Sequence, residues 1–287
     1  MYKRSRLGKA PANQNAILWR YMDVAGFLSL LQREQLFFAS LVSLPDPMEG
    51  ESGSYALIRS WAEDVDRARE ERCRQKGVRR DPTEMQTRDE LMASLKHLHD
   101  AEQDDCASRG VNCWHLNQSE SAAMWQLYGE KRGIAVRTTY SRLRRSFAPE
   151  SRDVLLGQVR YIAAAAFDGR LYERSRRRTR SRTGRSESSA DIGAALRTAF
   201  KLKLTPFFKR DCFEHEREFR AMVDLYGSEV GQGTHVRVDL PLLLETVLVS
   251  PFAPAWIEGV IETELRHYGL DKVPVVRSRL LEPIRAE

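Results

Sequence analysis

The amino-acid sequence predicts an α+β fold, a mainly antiparallel sheet with helical insertions, in a single elaborated domain over 1–287. The composition is that of a globular chain, since 42% of its 287 residues are hydrophobic and 30% are charged. Short apolar runs that suit strands often follow one another directly, without the regular alternation with helices that doubly wound folds require. Neither a Gly-x-Gly-x-x-Gly nor a Gly-Lys-Ser/Thr phosphate loop occurs. Fibrous and disordered classes are therefore excluded, and an antiparallel arrangement is favoured.

The elements of the first half follow from the spacing of apolar residues. Residues 17–21 form a short apolar run that ends before Asp23, and apolar residues then recur at helical spacing over 24–32. Two prolines break the segment from Ser43 to Gly50, which is therefore a loop. Two long stretches interleave charged and apolar residues at three- and four-residue steps, which predicts amphipathic helices. The predicted strands are 17–21, 36–39, 111–116, 133–138 and 153–161, and the predicted helices are 24–32, 54–76, 83–107 and 120–128.

The second half begins with a helix that Pro206 breaks or restarts. Short alternating or apolar runs then predict several strands, with one more helix before the last of them. The predicted strands are 219–224, 235–240, 247–249 and 274–278, and the predicted helices are 192–204 and 255–268.

The chain carries no sequence signal for a membrane or for export. Its longest apolar stretch, 161–167, is far shorter than the roughly 20 residues that cross a bilayer. The basic amino terminus lacks the apolar core of a signal peptide. Four irregularly spaced cysteines do not form a disulfide pattern, so reduced thiols are expected. The sequence thus predicts a cytoplasmic protein with no membrane partner, and it indicates no oligomeric state.

The basic charge is concentrated in one segment, 168–190. Eight arginines and three acids give this segment a charge of +5, out of +6 for the whole chain. Because it lacks periodic apolar residues, it is predicted to be a mobile loop inserted in the domain. It suits nucleic acid or an acidic protein surface through salt-sensitive contacts, although a solvated insertion without a ligand fits equally well. The candidate nucleic-acid-binding residues are Arg174, Arg176, Arg177, Arg178, Arg180 and Arg182.

A histidine and cysteine cluster gives a weak indication of a metal site. Zinc needs four ligands, usually offered as close pairs, and the spacing here fits that pattern poorly. Surface histidines and buried thiols are the favoured interpretation. The members are His97, His99, Cys106, Cys113 and His115.

An acidic segment precedes a predicted buried strand. On a strand, Glu214, Glu216 and Glu218 would share one face, at the edge of the apolar run that begins at Phe219. Carboxylates placed there suit general base catalysis or the stabilisation of a developing cation. Without further context, simple neutralisation by nearby cations is the favoured interpretation. Those cations are Arg217, Arg220 and Lys209.

The segment from Trp114 to Gly133 is dense in aromatic and hydroxyl groups. Helix capping by Ser119 or Ser121 and core packing explain most of it. The rings of Trp125 and Tyr128 also suit the wall of a pocket for a flat ligand.

Several ordered motifs resemble the bacterial domain-of-unknown-function family numbered 2971. The likeness extends from Leu18 to about Ser278, and the arginine-rich loop resembles an insertion in it. The motifs are Leu18-Trp-Arg-Tyr21, Ser43-Leu-Pro-Asp-Pro-Met-Glu49, Trp114-x-x-Asn117-x-x-Glu120-Ser121-x-x-Met124-Trp125-x-x-Tyr128-Gly129, Glu216-x-Glu218-x-Arg220 and Val247-x-Val249-Ser250-Pro251.

A more distant resemblance is to ADP-ribosyltransferases, and it depends on the order of motifs. Those enzymes have an Arg or His on a first strand, an aromatic residue or Ser on a middle strand, and a late Glu, often within Glu-x-Glu. Arg20, the region of Ser121 and Tyr128, and Glu218 occur in that order. The resemblance implies a split sheet and NAD as the substrate, with no metal. By analogy alone, it also implies a toxin or phage-defence role.

The roles that this resemblance implies are specific to individual residues. Arg20 and Tyr21 would bind the phosphates or ribose of NAD, and Trp125 or Tyr128 would stack on the nicotinamide. Ser121 would donate a hydrogen bond nearby. Glu218 would stabilise the transition state, and Glu216 would orient or deprotonate an acceptor, which is nucleic acid, protein or water. The implied cofactor-binding set is Arg20, Tyr21, Ser121, Trp125 and Tyr128, and the implied catalytic pair is Glu216 and Glu218.

Two functions of other classes remain open. One is a non-catalytic module that binds nucleic acid or a protein partner through the arginine-rich loop. The other is a metal-dependent nuclease in which carboxylates gather Mg²⁺. Its ligands would be Asp46, Glu49, Glu216 and Glu218.

Overall fold

A computed structural model of the chain describes residues 2–3, 9–46, 49, 63, 67, 70–79, 93, 96–97, 99–101, 103–129, 132–163 and 206–282. By its contacts the chain divides into two compact units. The larger unit comprises 1–40, 109–159 and 214–287, and the smaller comprises 41–108 and 160–213.

The larger unit is built on a ten-stranded open sheet. Its main path runs β1-β6-β9-β4-β2-β5-β11-β12, with β3 joined to β4 and β10 joined to β3. Only the β1–β6 and β11–β12 pairs of this sheet are parallel, so the predicted mainly antiparallel α+β fold is confirmed. The strands are β1 (Tyr2–Lys3), β2 (Ile17–Asp23), β3 (Gln35–Ser40), β4 (Arg109–Leu116), β5 (Gly133–Thr139), β6 (Val154–Gln158), β9 (Glu218–Asp224), β10 (Gly233–Arg237), β11 (Thr246–Val249) and β12 (Val275–Arg277).

Helices cover one face of this sheet and form the main core with it. Alternate residues of the strands, such as Leu18, Trp114 and Phe219, are buried on that face. The helices are α1 (Val24–Arg33), α2 (Ala122–Met124), α3 (Tyr140–Ser146), α4 (Leu240–Leu243) and α5 (Trp256–His267). Of these, α1, α3, α4 and α5 bury apolar residues in this core.

Local signals explain where the helices begin. The Asp23 carboxylate accepts a hydrogen bond from the Gly26 N–H at 2.6 Å and so caps α1. Thr139 and Asp239 cap α3 and α4 in the same way, through bonds from the N–H groups of Arg142 and Leu242.

Two strands share one edge of β4. On its opposite edge, β4 pairs with β9 from Arg109 to His115. On the shared edge, β3 pairs with Val111 and Gly110, whereas β2 pairs with Leu116 and His115. The middle of β4 therefore has no partner on this edge among the described strands, and side chains fill the opening. Asn112 donates to the Phe37 carbonyl at 2.8 Å within it.

The structure corrects three predicted elements and adds one helix that was not predicted. The strand predicted over 235–240 ends at Arg237, because Asp239 caps α4. The predicted helix 120–128 is the single turn of α2 followed by a π-helical turn, Trp125–Gly129. The predicted strand 153–161 is interrupted at Val159. Helix α3 was not predicted.

The smaller unit contains a parallel pair of strands, β7 (Arg160–Ile162) and β8 (Phe208–Arg210). Described parts of the two predicted amphipathic helices, 70–76 and 103–107, are helical. The predicted helix 192–204 and the arginine-rich segment 168–190 lie outside the described residues. Among the described helices, none combines the length and apolar character needed to cross a bilayer.

Candidate functional site

The face of the sheet opposite the main core carries a row of neighbouring polar and aromatic side chains. Trp19 of β2 lies opposite His115 of β4, and His115 lies opposite Glu218 of β9. Directly opposed residues on neighbouring strands have their side chains in contact distance. We call this surface, with Tyr21 and Arg220 beside the row, the site face.

An ion pair between Glu218 and Arg220 lies on this face. The two residues alternate along β9, and Nη2 of Arg220 donates to Oε2 of Glu218 at 2.7 Å. Both side chains are buried, Arg220 completely. Opposite charges at this distance stabilise each other in their charged forms. Gly157 of β6, which has no side chain, lies opposite Arg220 and leaves room for the guanidinium.

His115 presents a nitrogen atom that has no hydrogen-bond partner among the described residues. Its Nδ1 lies 2.6 Å from the Glu216 carbonyl oxygen, which can only accept, so Nδ1 carries the proton. The lone pair of the neutral ring is therefore on Nε2, which is buried and makes no hydrogen bond there. Burial lowers the pKa of His115, which favours the neutral ring. Among the described residues, this buried nitrogen is therefore a hydrogen-bond acceptor without a donor.

A kink in the chain separates Glu216 from Glu218. Glu216 ends a 3₁₀ turn, Asp211–Glu216, and Arg217 takes a left-handed backbone conformation with φ 41° before β9 begins. The three glutamates therefore do not share one strand, and Glu214 is exposed. The kink turns the Glu216 carboxylate towards the Tyr128 hydroxyl, which donates to it at 3.3 Å.

Aromatic rings line the site face beside these groups. The Tyr21 ring lies edge to face with Trp125 at 5.0 Å and with His115 at 6.2 Å. Its hydroxyl accepts a hydrogen bond from the Ser121 N–H at 2.8 Å. Burial raises the pKa of Tyr21, so the phenol stays protonated.

A carboxylate fixes the Trp125 ring from the opposite side. Glu120 accepts hydrogen bonds from Trp125 Nε1 at 2.8 Å and from the Ser278 hydroxyl. Trp125 is fully buried, whereas Tyr128 on the same π-helical turn is 46% exposed. Of the two rings, Tyr128 is therefore the one that a ligand can reach. π-helical turns occur often at functional sites.

Arg20 takes a different position from the one that the ADP-ribosyltransferase likeness implies. It alternates with Trp19 and Tyr21 along β2, so its side chain starts on the opposite face. Its Nη1 donates to the Cys113 carbonyl at 2.7 Å, in the opening along β4. Burial lowers the pKa of Arg20. The guanidinium thus satisfies a backbone carbonyl that none of the described strands pairs with on this edge.

The structure brings together six of the residues singled out from the sequence, which are Tyr21, Ser121, Trp125, Tyr128, Glu216 and Glu218. Ser121 contributes its N–H to Tyr21, while its hydroxyl caps α2 by accepting from the Met124 N–H at 3.4 Å. The arginines of 174–182 lie outside the described residues. The sequence indicated His115 as a weak metal ligand and as part of the aromatic and hydroxyl segment 114–133. Its register opposite Glu218 is the feature that identifies it as a site residue.

Asp46 and Glu49 of the smaller unit, which the nuclease alternative uses as Mg²⁺ ligands, form ion pairs with basic side chains. Arg210 binds Asp46 at 2.6 Å, and Lys209 binds Glu49 at 2.8 Å, with both carboxylates buried. Within the described ranges, no group of three or more His, Cys, Asp or Glu is arranged to hold a metal ion. No disulfide joins the four cysteines.

Comparison of the chain with models of known protein families, with curated proteins and with solved structures finds no match. The two family resemblances therefore stay predictions from the motifs.

Proposed function

We propose that the chain is an NAD-consuming enzyme of the ADP-ribosyltransferase type, with its reaction centre at Glu218 on the site face. The observation that carries the proposal is a buried, ion-paired carboxylate beside a neutral histidine and an accessible tyrosine ring. Together these groups offer a negative charge, a base and a stacking surface.

The chemistry requires a carboxylate where positive charge develops. In the proposed step the bond between C1′ of the ribose and the nicotinamide nitrogen breaks, and its electron pair leaves with nicotinamide. The ribose becomes an oxocarbenium-like cation, which Glu218 stabilises electrostatically. Arg220, at 2.7 Å, keeps that carboxylate charged and oriented.

The acceptor completes the reaction. Its oxygen or nitrogen bonds to C1′, and its proton passes to a base, for which we assign Glu216. Tyr128 donates to the Glu216 carboxylate and orients it, and its exposed ring is the surface on which nicotinamide stacks. Trp125 and Tyr21, whose rings lie edge to face at 5.0 Å, form the neighbouring part of the site face. The proposal does not use Arg20 for the phosphates.

Two features favour this function over the alternatives. The opening between β2 and β3 along β4 is compatible with a split sheet. The metal-dependent nuclease needs Asp46 and Glu49 for Mg²⁺, and both are occupied by side-chain cations. The acceptor remains nucleic acid, protein or water in this proposal.

Labelled NAD tests the proposal, with nicotinamide release and label transfer as the readouts. Loss of one preorganised group that stabilises transition-state charge lowers the rate about 10²- to 10³-fold. We expect that loss for Glu218→Gln, and no change for Glu214→Gln, which removes an exposed carboxylate four residues away.

A folding control accompanies these variants, because Glu218→Gln leaves Arg220 buried without its acid. The double variant E218Q/R220M removes both charges, and its thermal unfolding shows whether the sheet is intact. Nicotinamide release by folded E218Q at the wild-type rate would remove the proposal.

A further inference from the structure

A concave site lies on the same face of the sheet, where the row of opposed residues continues from Trp19 to Arg137 of β5. It is a depression of about 520 Å³, within the size range of small-molecule sites. It forms where β2 begins, β5 ends and α3 begins. Its lining residues are Asn15, Ile17, Arg137, Thr139, Ser141, Arg142, Arg145 and Glu245.

The lining is positively charged, with three arginines and one glutamate, a net charge of +2. Arg137 is held by Glu245, since its Nη1 donates to the carboxylate at 2.6 Å. Arg142 donates to the carbonyls of Pro241 and Leu244 at 2.9 and 3.2 Å. Because carbonyls are neutral, these two bonds hold the guanidinium in place without cancelling its charge.

The third arginine is accessible. Arg145 lies in the last turn of α3 and is exposed, so its guanidinium can turn towards a ligand. Guanidinium groups bind phosphates through paired, charge-assisted hydrogen bonds. The polar groups of Asn15 and Ser141 add donors for the remaining oxygens, and Ile17 offers an apolar surface for a sugar or base.

We propose that this depression, which we call the arginine pocket, binds a small phosphorylated ligand of nucleotide size. Arg145 and the fixed guanidinium groups of Arg137 and Arg142 hold its phosphates. The pocket is separate from Glu218, because three strand spacings, about 14 Å, lie between Arg137 and Glu218 along the row. The proposal therefore does not depend on NAD cleavage.

Calorimetric titration tests the proposal, with inorganic pyrophosphate, ADP and adenosine as probes at constant ionic strength. Pyrophosphate and ADP are expected to bind saturably, whereas adenosine, which lacks phosphate, is not. A charge-assisted hydrogen bond contributes enough to make the loss in Arg145→Gln about 10-fold or more.

Arg144→Gln is the matched control. Arg144 is next to Arg145 on α3, but it lies over the Tyr140 ring and does not line the pocket. The affinity of R144Q should stay within about twofold of the wild type, since only screened, longer-range charge is lost. Arg145 is exposed, so R145Q should unfold at the wild-type temperature. R144Q removes a contact with the Tyr140 ring, so its thermal unfolding is measured before its affinity is compared.

Two results would overturn the proposal. One is the absence of saturable binding of pyrophosphate and ADP. The other is an equal loss of affinity in R144Q and R145Q, which indicates diffuse attraction to a basic helix. Competition between ADP and carbocyclic NAD, which cannot release nicotinamide, then shows whether the ligand of the arginine pocket is part of NAD or a separate nucleotide. Displacement of ADP identifies the pocket as the site for part of NAD, and independent binding identifies a separate nucleotide.

Discussion

Two carboxylate–guanidinium pairs of the larger unit have the same 2.7 Å separation but different surroundings. Glu229 and Arg152 form one of them near the surface, with two parallel hydrogen bonds of 2.7 and 2.8 Å. Glu218 and Arg220 form the other, which is buried on the site face.

The carboxylate near the surface accepts hydrogen bonds from three neighbouring residues. Besides Arg152, Glu229 accepts hydrogen bonds from the Thr234 hydroxyl at 2.7 Å and from the Tyr226 N–H at 3.2 Å. The buried acid instead lies opposite His115, whose Nε2 has no hydrogen-bond partner in the described part of the chain. Glu229 therefore joins segments of the chain, whereas Glu218 belongs to a buried cluster in which one histidine nitrogen has no donor among the described residues.

Removing the guanidinium from each pair gives the largest expected contrast in stability. Arg220→Met removes the cation that lies 2.7 Å from the buried Glu218 carboxylate, and breaking a buried ion pair in this way costs about 3–5 kcal/mol. Arg152→Met breaks a partly exposed pair, for which we expect about 1 kcal/mol. Urea unfolding of both variants measures the two free energies. In E218Q/R220M most of the loss should be recovered, and equal losses for R220M and R152M would contradict the contrast.

The packing of the ring beneath the site face gives the next largest effect. A Cβ at Gly129 would lie 2.7 Å from Cε3 of Trp125, so Gly129→Ala must displace that ring. Overpacking of this kind costs about 1–3 kcal/mol. Thermal unfolding measures the loss.

Gly259→Ala is the matched control for that substitution. Gly259 lies within α5, and a Cβ there meets nothing within 4 Å. Alanine should stabilise the helix by up to about 1 kcal/mol, because it is the better helix former. A G129A protein as stable as the wild type would show that Trp125 is not held as described.

The smallest expected effect is the pH dependence that comes from Glu229. The Arg152 guanidinium, with help from Thr234 and Tyr226, lowers the pKa of Glu229 from 4.5 to about 2. Because the folded pKa lies below the unfolded one, this stabilisation is present above about pH 5 and is lost as the pH falls towards 2. Solvent screening limits it to about 1 kcal/mol. Unfolding at pH 6 and pH 3 should differ less in Glu229→Gln than in the wild type, and an unchanged difference would contradict this assignment.

Local patterns predicted most strands of the larger sheet. Alternation and apolar runs identified β2, β5 and β9 to within two residues, since each buries one face in the main core. Helix α3 was missed because it is short and three of its seven residues are arginines. The predicted strand 235–240 was wrong because the capping bond of Asp239 outweighs the apolar pattern after it.

The candidate site was predictable only as a set of residue types. The Met-Trp-x-x-Tyr and Glu-x-Glu motifs identified Trp125, Tyr128 and Glu218. The role of His115 depends on its register opposite Glu218, which is more than 100 residues away and is set by sheet pairing. Likewise, the hydrogen bond from Arg20 to the Cys113 carbonyl forms in the opening along β4, and no local sequence pattern indicates that opening.

The ¹⁵N spectrum of His115 reports on the protonation of both ring nitrogens at the centre of the site face. We expect a neutral ring, protonated at Nδ1 and unprotonated at Nε2 near pH 7, because Nδ1 faces a carbonyl and burial lowers the pKa of His115. Addition of carbocyclic NAD should shift the Nε2 resonance, since the proposed function places this ligand on the site face, which includes His115. A ring protonated at Nε2 would overturn the assignment of the His115 proton, and an Nε2 resonance that saturating carbocyclic NAD leaves unmoved would overturn the proposed site.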